Sequence, residues 1–137
     1  MTTMRNSVAG TLLVLGAAFV SPAPLAAPAQ AAELHLDARM MHTAACPNAR
    51  GAAEYEAEHG RRGFEIHIRG VRALHGKLLT VRVHGTFVGR MPVGTYGRAH
   101  LERHRGAPRM AAGDRVRVRT PSGMLVTYGT LRRAAHD

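Results

Sequence analysis

Apolar and polar residues alternate along most of the chain after residue 60, and a period of two marks strands with one buried face. Phe64, Ile66 and Ile68 alternate with Glu65, His67 and Arg69. Leu79, Val81 and Val83 alternate with Thr80, Arg82 and His84, and Val116 and Val118 with Arg115, Arg117 and Arg119. An amphipathic helix would repeat near 3.6 residues, and these runs do not. Glycine and proline supply the punctuation. Gly60 and Gly63 flank Arg61-Arg62, Gly94 and Gly97 bracket Thr95-Tyr96, Gly113-Asp114 leads into the Arg115 run, and Pro121-Ser122-Gly123 is a turn signal. Gly85 makes the 81–91 run either two short strands with a tight turn or one bulged strand.

The spacing predicts strands at about 34–41, 52–58, 64–71, 78–84, 87–93, 98–104, 115–120 and 124–131. Residues 52–58 are rich in Ala and Glu, but Gly51 and Gly60 bound them too tightly for a stable helix. Seven to eight short strands predict an all-β fold, either a small antiparallel β-sandwich or a partly open barrel. No helical pattern alternates with the strands, which argues against an α/β fold. The runs at 64–71 and 78–84 are expected to form a hairpin through Leu74-His75-Gly76.

The N-terminus follows a different rule. Residues 1–31 read as a secretory signal peptide, with Arg5 in the basic segment, an apolar run at 8–20 and a small-x-small cleavage site at Ala29-Gln30-Ala31. The apolar run is shorter than the roughly 20 residues a membrane span needs. The expected mature chain is one β-domain, 32–137, secreted or periplasmic, with no transmembrane anchor.

Composition narrows the function classes. The full chain has 137 residues, 19 Lys+Arg, 9 Asp+Glu, a formal net charge of +10, one Cys and no Trp. Loss of residues 1–31 removes only Arg5 among the charges, so the mature domain keeps a net charge of +9. A disulfide-stapled miniprotein, a cysteine zinc finger and a multidomain enzyme are excluded. Arg almost wholly replaces Lys, alongside abundant Ala and Gly, which is a GC-rich coding pattern. Arginine identity alone is therefore weak support for bidentate phosphate recognition.

Several local patterns recur together: the alternating 64–71 run, Val81-Arg82-Val83-His84-Gly85, Val88-Gly89, Gly97-Arg98-Ala99-His100-Leu101, Gly113-Asp114-Arg115-Val116 and Tyr128-Gly129-Thr130-Leu131. Through them residues 64–131 resemble small exported bacterial all-β proteins of unassigned function. The resemblance implies a β-sandwich and export, and carries no catalytic residue across.

Three patterns hold candidate chemistry. The nine histidines all follow residue 31, and the alternation points His67, His84 and His100 outward. The expected hairpin sets His67 across from Arg82 or His84, about 4.5–5.5 Å apart at Cβ, close enough to share a metal. Imidazoles suit zinc, copper or nickel, and Met40 and Met41 beside His42 add soft ligands. Against this, no cysteine pair accompanies a His-x-Glu motif, and the interleaved arginines repel a cation. Second, Arg115, Arg117 and Arg119 line one strand face, with Arg82 and Arg69 joining them if strand order allows. Such a face suits an anionic polymer, although an arginine-rich edge strand also deters edge-to-edge aggregation. Phe64 and Phe87 are expected in the core, leaving too few exposed aromatics for sequence-specific nucleic-acid recognition. Third, Cys46 is a lone thiol beside Pro47-Asn48, best read as a structural residue.

The acidic residues are expected to be structural. Glu54, Glu56 and Glu58 share a strand face suited to a salt-bridge ladder with arginines on a neighbour. Ser122 is the single serine after residue 31, and no phosphate or dinucleotide loop occurs. The sequence therefore predicts an exported, non-enzymatic module, structural or interacting, of the cell envelope or extracellular space. An envelope protein or an anionic polymer is its expected partner, and no cofactor is implied. The alternatives are polyanion binding through the arginines and copper or zinc binding through the histidines.

Overall fold

In the computed structural model each alternating run becomes a strand, and their inward faces meet in one core. Residues 32–135 are described, and the signal peptide expected at 1–31 lies outside them. The strands are β1 (Leu34–His42), β2 (Arg50–Glu58), β3 (Arg61–Arg69), β4 (Leu78–Val83), β5 (Thr86–Pro92), β6 (Ala99–Arg103), β7 (Arg115–Arg119) and β8 (Leu125–Thr130). A two-residue β9 (Arg132–Arg133) adds to β1, and among the described residues the one helical element is a 3-10 turn at Arg72–Leu74. Every ladder is antiparallel, in the order β5-β4-β7-β8-β1-β2-β3-β6. The sheet curls into a nearly closed eight-stranded barrel rather than a sandwich. Among the described residues no helix is long and apolar enough to cross a membrane.

The inward residues fill the barrel. Leu36, Tyr55, Phe64, Ile66, Leu79 and Val116 are all buried. Each large apolar side chain removed from water stabilises the fold by about 1.5–3 kcal/mol before chain entropy is counted. The curl brings β5 against β6 without a ladder between them, and side chains seal that seam. The Arg103 guanidinium donates to the Val88 carbonyl at 2.8 Å. Leu101 lies over Gly89, where a Cβ would come within 2.8 Å of its Cδ2.

Two hairpins use the same turn. His59-Gly60 joins β2 to β3 and His84-Gly85 joins β4 to β5, with φ of 48° and 78° in the first and 48° and 76° in the second. Positive φ at both central positions is the two-residue turn whose twist matches the flanking strands. Glycine adopts it freely, and histidine is among the residues enriched there. Gly85 thus ends a strand, and a bulge follows as well. Val81 pairs with Gly89 but Arg82 pairs with Phe87, so Val88 is an extra residue on β5.

That bulge corrects one expectation. Phe87 is not in the core: the extra residue turns Val88 inward and leaves Phe87 43% exposed. A second correction concerns pairing. β3 and β4 form no hairpin; β3 lies between β2 and β6, and β4 between β5 and β7. The segment between them instead packs against the connection from β5 to β6. Val71 is buried there, its N–H donates to the Gly97 carbonyl at 3.2 Å, and Gly76 donates to Val93 at 3.0 Å.

Candidate functional site

The carboxylates carried on strands are confined to one half of the sheet. Asp37, Glu54, Glu56, Glu58, Glu65 and Glu102 all lie on β1, β2, β3 and β6. Among the described residues every side-chain ion pair is made by a histidine, and no arginine has a carboxylate within 4.0 Å. The expected Glu54–Glu56–Glu58 ladder with arginines therefore does not form. Glu56 meets His35 and Glu58 meets His59, at 3.5 and 3.1 Å. The arginines are left with their full field.

On the other half the register builds a basic face. Tyr128 of β8 stands opposite Arg117 of β7, Arg117 opposite Arg82 of β4, and Arg82 opposite Phe87 of β5. The next row sets Arg119 opposite Thr80 and Thr80 opposite Arg90. The guanidiniums of Arg82 and Arg90 lie 5.9 and 5.6 Å from the Phe87 ring centroid, within reach of cation–π attraction. Turn carbonyls hold two of the arginines. Arg82 donates to Gly85 at 3.3 Å and Arg119 to Gly123 at 2.9 Å. Each keeps further N–H donors free, because a guanidinium carries five. A hollow of ≈ 290 Å³ runs over Arg82, Arg115, Arg117 and Arg119.

Arg82 thus joins Arg115, Arg117 and Arg119, and Arg69 does not. Arg69 sits on β3 opposite Arg50, beside a separate hollow that Arg39 and Arg98 also line. Its distance from the others follows from the absent β3–β4 hairpin.

The histidines also separate. His67 stands opposite His100 across β3 and β6. Their rings stack, with centroids 4.5 Å apart and planes 12° from parallel. Both point Nε2 at one oxygen of Glu65, at 2.8 and 3.0 Å. His84 is elsewhere: the positive-φ turn carries it off the strand, and its Nδ1 lies 3.7 Å from Asp114. Met40 is buried in the core and points away from any surface ligand set. Cys46 is half-buried against the core, its N–H donating to Thr43 Oγ1 at 3.1 Å.

Sequence reasoning passed over Glu65, Phe87 and Tyr128. Glu65 was open to it, because residues two apart on a strand share a face and Glu65 precedes His67 by two. Phe87 was not, since its orientation depends on a bulge. Comparison of the chain with protein-family models and with characterised proteins finds no match to either.

Proposed function

We propose that this chain is an exported, non-enzymatic interaction module of the cell envelope or extracellular space, and that it holds anionic polymers on the outer face of β8, β7, β4 and β5. The observation that carries the reading is the Arg117–Arg82 pair, with Arg115 and Arg119 beside it and, among the described residues, no carboxylate oxygen within 4.0 Å of any of their side-chain nitrogens. Like charges set directly opposite across a ladder are destabilising on their own. An anionic chain laid over them converts that repulsion into attraction and releases its counterions. A strand repeats its face about every 6.5–7 Å, comparable to the spacing of phosphates along an extended polymer.

The test is binding of inorganic polyphosphate to the untagged protein across a salt series. Binding should weaken steeply with salt. Arg115→Gln, Arg117→Gln and Arg82→Gln should each reduce the log–log slope by roughly 0.7–0.9. Arg50→Gln and Arg69→Gln should leave it unchanged. Equal losses from both sets of arginines would sink the assignment to this face.

A narrower reading has one observation in its favour. Tyr128 and Phe87, 41% and 43% exposed, flank the two arginines and offer rings on which unpaired bases can stack. Single-stranded nucleic acid would then bind without sequence preference and more tightly than polyphosphate of equal charge, and Tyr128→Ala would remove the difference.

A further inference from the structure

The opposite half of the barrel holds a second, independent arrangement. On its outer face Asp37 stands opposite Glu54, Glu54 opposite Glu65, and Glu65 opposite Glu102. One row along, Arg39 faces Ala52, Ala52 faces His67, and His67 faces His100. A straight line of four carboxylates across four strands is repulsive. Within 4.0 Å of Glu65 the described cation-forming groups are His67 and His100 alone.

We propose that Glu65, His67 and His100 form a binding site for one divalent transition-metal ion of the zinc or copper class. The donor atoms already converge: Nε2 of each histidine and an oxygen of Glu65 all lie within 4.8 Å of one another. A four-coordinate ion with bonds near 2.0–2.2 Å holds its ligand atoms about 3.3 Å apart. The present separations of 2.8 and 3.0 Å to Glu65 must widen by a few tenths of an ångström. The stacked rings lie in nearly parallel planes, so each imidazole must turn out of the stack to aim its Nε2 lone pair at a shared ion, and both side chains are exposed enough to turn. The ligand set is mixed nitrogen and oxygen, which suits zinc and copper(II) and does not suit calcium. Three protein ligands leave a position open to water or to an exogenous donor.

The neighbouring charges act in both directions. Arg39 and Arg69 lie along the adjoining hollow and repel a cation. Glu54 and Glu102 stand directly on either side of Glu65 and attract one. Glu54 and Glu102 are the direct cross-strand neighbours of Glu65, whereas Arg39 is separated from His67 by Ala52 and Arg132 stands beyond Asp37. A bound dication therefore offsets the repulsion among Glu54, Glu65 and Glu102.

The experiment is titration of the untagged full chain with zinc and with copper(II) against a chromophoric chelator, with circular dichroism of each variant to verify folding. One ion per chain is expected. His67→Ala, His100→Ala and Glu65→Gln should each weaken binding by more than roughly 100-fold, since loss of even an outer partner of a metal ligand can reach that. His84→Ala and His35→Ala should leave it intact. The copper(II) resonance spectrum should show coupling to two imidazole nitrogens, reduced to one in either single histidine variant. Uptake that survives His67→Ala with His100→Ala, or that follows His84, overturns the proposal. So does no uptake at all, which reduces the trio to a hydrogen-bonded surface cluster. None of these outcomes bears on the arginine face, which the polyphosphate series tests alone.

Discussion

His67 of β3 and His100 of β6 stand directly opposite each other, 4.5 Å between ring centroids, although 32 residues separate them along the chain. The β3–β6 ladder places them together, and on the other edge of β3 the backbone of β2 approaches closely. Gly51 lies opposite Ile68, and a Cβ at Gly51 would run into the His67 carbonyl oxygen. The neighbour is backbone and cannot rotate away. Gly51→Ala should therefore destabilise the protein by about 1–3 kcal/mol or more, read as a lower denaturation midpoint. It should also shift His67 and weaken zinc binding, with every metal ligand still present.

Arg117→Glu should raise the thermal midpoint at low salt. It replaces a directly opposed like-charge pair with Arg82 by an opposite-charge pair, a gain of roughly 0.2–1 kcal/mol. The gain should shrink in high salt as the charges are screened. The same variant should lose polyphosphate binding, so stability and binding move in opposite directions. A midpoint that falls would show that Arg117 and Arg82 do not repel in solution.

Thr127 is fully buried and its hydroxyl donates to the Met41 carbonyl at 2.6 Å, tying β8 to β1. Thr127→Val keeps the shape and removes the donor, leaving that carbonyl without this partner. The expected loss is about 1–3 kcal/mol by denaturant titration. A change below a few tenths of a kcal/mol would mean that water reaches the Met41 carbonyl.

The β5–β6 seam should depend on Arg103. Arg103→Ala removes the bond to the Val88 carbonyl, and the expected loss is about 1–2 kcal/mol. Amide exchange should quicken in β5 and β6 ahead of the β1–β2 and β2–β3 ladders, because the seam has no ladder of its own. Uniform exchange across all strands would place the weak point elsewhere.

Zinc should stabilise the protein by mass action if the Glu65–His67–His100 site fills, with a midpoint that climbs as zinc concentration rises. The climb should vanish under chelator. Zinc that leaves the midpoint unchanged at every concentration would contradict the site.

The sequence by itself determined where the strands lie and which way most of their side chains face. A period of two fixes a face locally, so Arg115, Arg117, Arg119, His67 and His100 were legible as outward and Ile66, Val81 and Val116 as inward. It also located turns at Gly94–Gly97 and Pro121-Ser122-Gly123, while at Gly85 it left a turn and a bulge open and kept His84 on the strand. Neighbourhood was another matter. Alternation says nothing about which strand lies alongside, and ladders such as β3–β6 and β1–β8 join segments far apart in the chain. Tertiary structure alone chose His100 over His84 as the partner of His67, put Arg82 and not Arg69 beside Arg117, and lined four carboxylates across four strands. It also decided Phe87, where one extra residue on β5 reverses the side on which the ring emerges. The reason is the same in each case: closing the barrel around one apolar core fixes strand order and register together, and that closure is a property of the whole chain rather than of any segment.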